Sequence, residues 1–284
     1  MVELDEISYA TAGGVAEIAL QRPDRLNAIS ARAGGTRDQL VDALTRAEDD
    51  AAVGAVLLRG EGRAFSVGGD LTGNARRETL AEHKAFLQQA DAFHARWRDS
   101  RLPIVAAVHG HCLGAALGLV ASCDFVIASE GASFGLPEGR LGLVGAAPLV
   151  PIVGRQWAKF LILTGEPISA ALARDLGLVL SVEPDDEFLD RARELAHRLA
   201  RLPRQAVALN KRSVDAIADA AGDADGRRVG LTQDALTLLA SASAAAPDGR
   251  TFREIIDTEG MDGLKRAREG QYADAWLRDG SEER

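Results

Sequence analysis

Cysteine, methionine, tyrosine and tryptophan are scarce in this chain of 284 residues, with two, two, two and three copies. Two cysteines cannot form a disulfide framework. Cys112 and Cys123 lie in apolar stretches, as thiols do in a reducing compartment, so a cytoplasmic location is expected. Metal-ligand spacing is missing as well. Neither His109/His111 nor Cys112/Cys123 follows a zinc pattern, and no metal is expected. Only Lys84, Lys159, Lys211 and Lys265 represent lysine among 33 basic residues, and 42 acidic residues bring the net charge to −9. That balance withdraws electrostatic support from a nucleic-acid partner. No apolar run approaches the ~20 residues of a membrane span, and no membrane partner is expected. The opening MVELDEISYA is too acidic for a signal peptide. No Walker A loop, complete G-x-G-x-x-G or Ser-His-Asp arrangement is present.

Apolar residues are plentiful at 46%, enough for a large core. Short β-type runs at residues 7–10 and 15–20, parted by Gly13 and Gly14, predict a hairpin. Ser30 is a candidate cap for a helix running to about Asp49. Residues 53–58, 104–108 and 124–128 are continuous apolar runs, as in strands covered on both faces. Helical spacing at 80–98 and a small-residue helix at 114–122 alternate with them, which predicts an α/β fold with parallel pairing. After about Pro203 the strand signals fade. Helices are expected at 203–219, 227–244 and 249–259, with GDADG (222–226) as a loop. The division is therefore a core at 1–202 and a helical region at 203–284, packed on the core or on a neighbouring subunit.

Two glycine-bearing turns follow predicted strands, AFSVGGDL (64–71) and HGHCLGAA (109–116). Either they only connect strand to helix, or their unpaired N–H groups converge on one carbonyl oxygen as an oxyanion hole. Glu138 stands between Pro137 and Gly139 with apolar residues on both sides. It is either a solvated turn residue or an acid whose apolar walls raise its pKa for proton transfer. His109 and His111 are turn residues or proton donors, and His83, His94 and His197 read as surface residues on helices. Asp124 reads as a structural hydrogen-bonding group. Asp70 caps its segment or lies near a ligand. Arg22 and Arg25 are surface groups or ligands for an anion.

Six stretches in order then resemble the crotonase superfamily, the enoyl-CoA hydratase/isomerase family. They are LQRPDRLNA (20–28), GEGRAFSVGGDL (60–71), VHGHCLGA (108–115), FGLPE with LGL (134–143), LTGEPISA with GLV (163–179) and EGMDGL (259–264). The resemblance implies a ββα spiral core, a C-terminal helical region used in trimerisation, and a homotrimer or dimer of trimers. It implies an acyl-CoA thioester as substrate, with coenzyme A as part of it and no separate cofactor. Gly69 and Ala115 would donate to the thioester oxygen. Arg22, Arg25, Leu26 and Ala28 would lie along the CoA, with Ala64, Gly68, Asp70 and Leu71 of the first turn. Hydratases of the family carry two glutamates, one at Glu138 and one where this chain has Gly118. With one acid left, the chain is most like a 3,2-enoyl-CoA isomerase, in which Glu138 takes a proton from C2 and returns it at C4. The alternatives are a hydratase or related lyase in which His111 or Asp70 replaces the lost acid, and a thioester-binding protein with little catalysis. Residues 72–84 and the C-terminal helices would select the acyl group. Residues 145–148 depart from the glycine-rich run usual after the acid loop.

Overall fold

The computed structural model describes residues 4–71, 77–145, 147–270, 272 and 274–277. The predicted hairpin forms from β1 (Ile7–Ala12) and β2 (Val15–Leu20), antiparallel and turned by Gly13 and Gly14 at φ +56° and +81°. After α1 (Thr36–Asp49) comes β3 (Ala55–Gly60), parallel to β2. Then follow α2 (Leu80–Arg98), β4 (Ile104–Val108), β5 (His111–Leu113), α3 (Ala115–Val120), β6 (Phe125–Ser129) and β7 (Ser133–Gly135). The core closes with α4 (Val150–Thr164), β8 (Ile168–Ser169), α5 (Ala170–Asp175), β9 (Ser181–Glu183) and α6 (Phe188–Ala200).

The main sheet runs β1-β2-β3-β4-β6-β9 and the small one β5-β7-β8. The pairs β4–β5 and β6–β7 each send one strand to each sheet, which is the ββα spiral the resemblance implies. Continuous apolar strands fit a sheet covered twice. Val56, Leu58, Ile104, Ala106 and Val108 face Leu40, Leu44, Trp97 and Leu117 of α1, α2 and α3. Their neighbours Ala55, Leu57, Val105 and Ala107 face Ala192 and Ala196 of α6, small enough for the helix to approach closely.

Further on lie α7 (Arg204–Ala220), α8 (Asp223–Ala240) and α9 (Phe252–Glu269). Helix α8 packs along α2, and α7 along α8. Leu209, Val214 and Ile217 leave an apolar face of α7 open, at 58%, 68% and 70% exposure. Among the described residues, no helix is long and apolar enough to cross a membrane.

Several boundaries differ from expectation. Ser30 does not cap α1, which begins after Gly35. The Ser30 N–H donates to Thr36 Oγ1 at 3.0 Å and its carbonyl accepts from the Arg37 N–H at 3.2 Å, so Ser30 braces the entry instead. GDADG is not a loop. Gly222 at φ +118° makes the turn, and Asp223 and Asp225 enter the first turn of α8, where carboxylates suit the helix dipole. Helix α8 ends at Ala240, short of 244, and α9 extends to Glu269 through a kink at Gly260.

Candidate active site

The two glycine turns are stitched to each other and to the opening motif. Ser66 N–H donates to the His111 carbonyl at 2.9 Å, and Leu113 N–H to the Ser66 carbonyl at 3.0 Å. Ile29 N–H donates to the Gly68 carbonyl at 2.7 Å, and Asp70 N–H to the Ile29 carbonyl at 2.9 Å. In extended backbone alternate groups point opposite ways, so the N–H of Gly69 points away from Ile29. Gly68 has φ +94°, and a Cβ there would lie 2.6 Å from the Leu113 carbonyl oxygen and 3.1 Å from the Ala115 nitrogen. Only glycine permits that approach. A Cβ on Gly69 would stand 4.0 Å from the Ala115 Cβ, so the two predicted donors are neighbours in space.

Glu138 is carried by a 3-10 turn, Pro137–Leu141, directly after β7. Its carboxylate rests on Gly114, at φ +57° and ψ −125°, where any Cβ would overlap it. The backbone N–H groups of Glu138 itself and of Ala115 lie close enough to act on it, while Oε2 is buried with no partner among the described residues. Burial pushes its pKa up to about 7, against the weaker pull of its own backbone N–H, of the Arg268 charge and of the Ala115 N–H. The turn is anchored behind. Gly139 sits on the Ile162 carbonyl of α4, with no room for a Cβ. Arg140 donates to the Thr164 carbonyl at 2.7 Å, pairs with Glu269 and lies 4.2 Å from the Tyr272 ring centre. Glu166 accepts from the N–H groups of Trp276 and Leu277, tying the same C-terminal segment to the core.

Gly118 lies one turn beyond Gly114 on α3, about 6 Å along the axis. A Cβ there would come within 2.9 Å of His94 Cε1 and 3.2 Å of Nε2. The space beside Gly118, where the resemblance places a second glutamate, is therefore filled by an imidazole from α2. This overturns the surface assignment of His94. Its ring nitrogens have no hydrogen-bond partner among the described residues. Burial, with the Arg37 and Arg98 charges, pushes its pKa down to about 4. His83 is buried too, one 83/87/90/94 stripe along the helix, and its Nε2 is unpartnered among the described residues. His197 is only half-buried, beside the Gly13 carbonyl at 3.2 Å. The two groups put forward as replacement acids are engaged elsewhere. His111 is exposed with Nδ1 on Ser133 Oγ at 3.0 Å, and Asp70 pairs with Arg22 at 2.9 Å. His109 holds the Gly62 carbonyl at 2.8 Å. Asp124 accepts from the Ile104 N–H and from Lys211 Nζ, both at 2.7 Å, in the structural role expected of it.

Of the residues expected along the CoA, Arg22 is spent on architecture: Asp70, the Ala28 carbonyl at 2.5 Å, and Glu6 at 3.8 Å. Arg25 is exposed, Leu26 and Ala28 are half-buried, Ala64 is buried and Leu71 is half-buried. Leu26 and Asn27 adopt left-handed backbone at φ +49° and +55°. Asn27 holds that turn. Its Oδ1 accepts from Arg22 N–H at 2.8 Å and its Nδ2 donates to the carbonyls of Glu61 at 2.7 Å and Ala64 at 2.9 Å. Neither Asn27 nor Arg140 was singled out in the sequence, and His94 read as a surface residue. A buried amide in an arginine-rich turn is a readable signal for the first. Nothing local marks the other two. Of the specificity segment, Thr72–Arg76 lie outside the described residues, as does Ala146 of 145–148. Among the described residues, no cluster of three or more His, Cys, Asp or Glu could hold a metal ion.

Residues 10–233 match the family model described as enoyl-CoA hydratase/isomerase. A probable mitochondrial enoyl-CoA hydratase of Dictyostelium discoideum is 34% identical over 215 residues, covering 72% of this chain and 73% of its own. A 2,3-dehydroadipyl-CoA hydratase of Escherichia coli is 34% identical over 202 residues, covering 70% and 77%. The crystal structure of an enoyl-CoA hydratase/isomerase from Xanthobacter autotrophicus superposes with a TM-score of 0.85 at 31% identity, over 94% of this chain and 98% of that one. With two glycine turns meeting beside a single buried glutamate, and these matches along most of its length, the chain belongs to the enoyl-CoA hydratase/isomerase family of acyl-CoA-processing enzymes, within the crotonase superfamily.

Proposed function

We propose that this enzyme forms the enolate of a CoA thioester and that Glu138 is its sole carboxylate acid and base, shifting a 3,4 double bond to the 2,3 position. The observation that carries the reading is Glu138 itself, at a pKa of about 7 and with Oε2 unpartnered among the described residues. Such a group is poised to take a proton and to return it. Arriving thioester oxygen would receive one N–H from Ala115 and a second from Gly69. The negative charge grows on that oxygen as the C2 proton leaves, so two fixed donors stabilise the transition state by several kcal/mol. Glu138 then protonates C4, and the enolate collapses to the conjugated 2-enoyl thioester. No net proton is consumed.

A second reading is hydration of a 2-enoyl thioester. One observation favours it: His94, a neutral ring with free nitrogens, stands in the space beside Gly118. Its nitrogen would accept a proton from water as the oxygen attacks C3, protonated Glu138 would deliver one to C2, and the imidazolium would return its proton to Glu138. Supplying a 3-enoyl-CoA and following 2-enoyl absorbance separates the two. Growth of conjugated product without 3-hydroxyacyl-CoA supports isomerisation. Hydration of 2-enoyl-CoA with no double-bond shift overturns it. Tight binding with no turnover of either would leave a thioester-binding protein. In the same reading the open face of α7 serves self-association as a trimer, and mass measurement in solution tests that.

A further inference from the structure

Beyond His94 lies a feature the proton chemistry does not use. The Phe93 ring sits 5.4 Å from the His94 ring and 5.8 Å from the guanidinium carbon of Arg37. Arg37, in the first turn of α1, also lies 5.7 Å from Phe86, against which Arg77 stacks at 3.7 Å. Two guanidinium groups thus share one ring. Arg37 has no ion pair among the described residues, and its Nε is buried without a hydrogen-bond partner there. A half-buried, unpaired cation beside a like charge is unfavourable unless an anion joins it. Burial, then the Arg77 charge, holds Arg37 below its ordinary pKa. The nearest acid, Asp38, is occupied by the Gly34 N–H at 2.7 Å, and Arg96 is paired with Glu48 at 2.7 Å. Arg37 and Phe93 line an open cavity of roughly 400 Å3.

From these observations we infer that Arg37, helped by Arg77, binds a carboxylate at the far end of the substrate's acyl group, so that the enzyme prefers dicarboxylic acyl-CoA thioesters. The order of groups carries the placement. Glu138 rests on Gly114, His94 on Gly118 one turn along the same helix, and Arg37 across Phe93 from His94. Arg37 shares the Phe93 ring with His94, and its charge is close enough to act on the imidazole, so a cation stands at that end of the site. A carboxylate and a CoA phosphate would satisfy the guanidinium alike, and the assignment rests on the acyl-CoA reading of the site.

Adipyl-CoA and hexanoyl-CoA have the same chain length and differ at the terminal carboxylate. Titration calorimetry on the full chain is expected to show adipyl-CoA binding about tenfold tighter, as one desolvated charge-assisted pair allows. Arg37→Met keeps the packing on Phe93 and Phe86 and is expected to erase that preference while hexanoyl-CoA and free coenzyme A bind as before. Arg77→Met should reduce it in part, and stands in if Arg37→Met fails to fold. Equal affinity of the two thioesters for the native enzyme overturns the inference. So does equal weakening of hexanoyl-CoA and coenzyme A by Arg37→Met, which would assign the cation to a CoA phosphate. Failure of the native enzyme to bind coenzyme A or any thioester would overturn the acyl-CoA reading itself, a different result.

Discussion

Two glycines four residues apart, one capping α3 and one inside it, seat opposite kinds of group. Gly114 receives the Glu138 carboxylate and Gly118 the His94 imidazole. Burial acts on both and disfavours charge in both, so the acid rises to about 7 and the base falls to about 4. The consequence differs. Glu138 exchanges its proton near neutrality and can act as acid and base in one cycle. His94 stays neutral there, able to orient a water or a substrate atom but a weak base. A pair of glutamates would be symmetric in kind; this pair is not. That asymmetry is the physical ground for giving the proton transfer to Glu138.

The most severe way to break the comparison is Glu138→Gln, which keeps shape and removes the titrating group. Turnover of the enoyl-CoA substrate should fall about 10²- to 10⁴-fold with thioester binding retained, read as kcat against KM. Unchanged turnover would remove Glu138 from the chemistry. Next comes the pH dependence of stability, in which the two seats carry opposite signs. Glu138, ordinarily at 4.5 and raised to about 7 on folding, loses stability as pH climbs through that interval. His94, ordinarily at 6.5 and lowered to about 4, loses stability as pH falls through that interval. Each amounts to about 3 kcal/mol. Denaturant titrations should show Glu138→Gln removing the alkaline loss and His94→Gln removing the acid loss. Identical pH profiles in all three proteins would refute both assignments.

A smaller effect separates the seats sterically. Gly114→Ala places a Cβ on the carboxylate at φ +57° and should lower stability by about 1–3 kcal/mol and displace Glu138. Gly118→Ala meets only the edge of a movable ring at 2.9 Å and should cost about 1 kcal/mol or less. Thermal melts of the two variants rank them, and the reverse order would show that His94 is the more rigid occupant. Last, His94→Ala should change isomerisation only a few-fold under the leading reading, whereas loss of all turnover would shift the reaction to hydration.

Local signals carried well where one element contains its own cause. The Gly13-Gly14 hairpin, helix Leu80–Arg98 and strand Ile104–Val108 were legible because turn chemistry, helical spacing and apolar runs are short-range. Ser30 misled because a helix cap is a geometric relation, and Thr36 took the bond instead. The small sheet escaped notice, since β5, β7 and β8 hold two or three residues each. His94 escaped for a deeper reason. Its helix shows polar residues on most turns, and nothing in that stretch says which side meets Gly118.

By itself the sequence determined the family, the two glycine turns and the identities Glu138 and Gly118, because these are residues at fixed spacing. Tertiary structure alone decided that Gly118 is filled rather than vacant, that His111 and Asp70 are engaged elsewhere, and that Arg37 has no ion pair among the described residues. Those facts join residues 24, 22, 48 and 56 positions apart, counting from His94 to Gly118, His111 to Ser133, Arg22 to Asp70 and Arg37 to Phe93. Burial and proximity, which shift pKa and leave cations unpaired, belong to the packed chain and to no stretch of it.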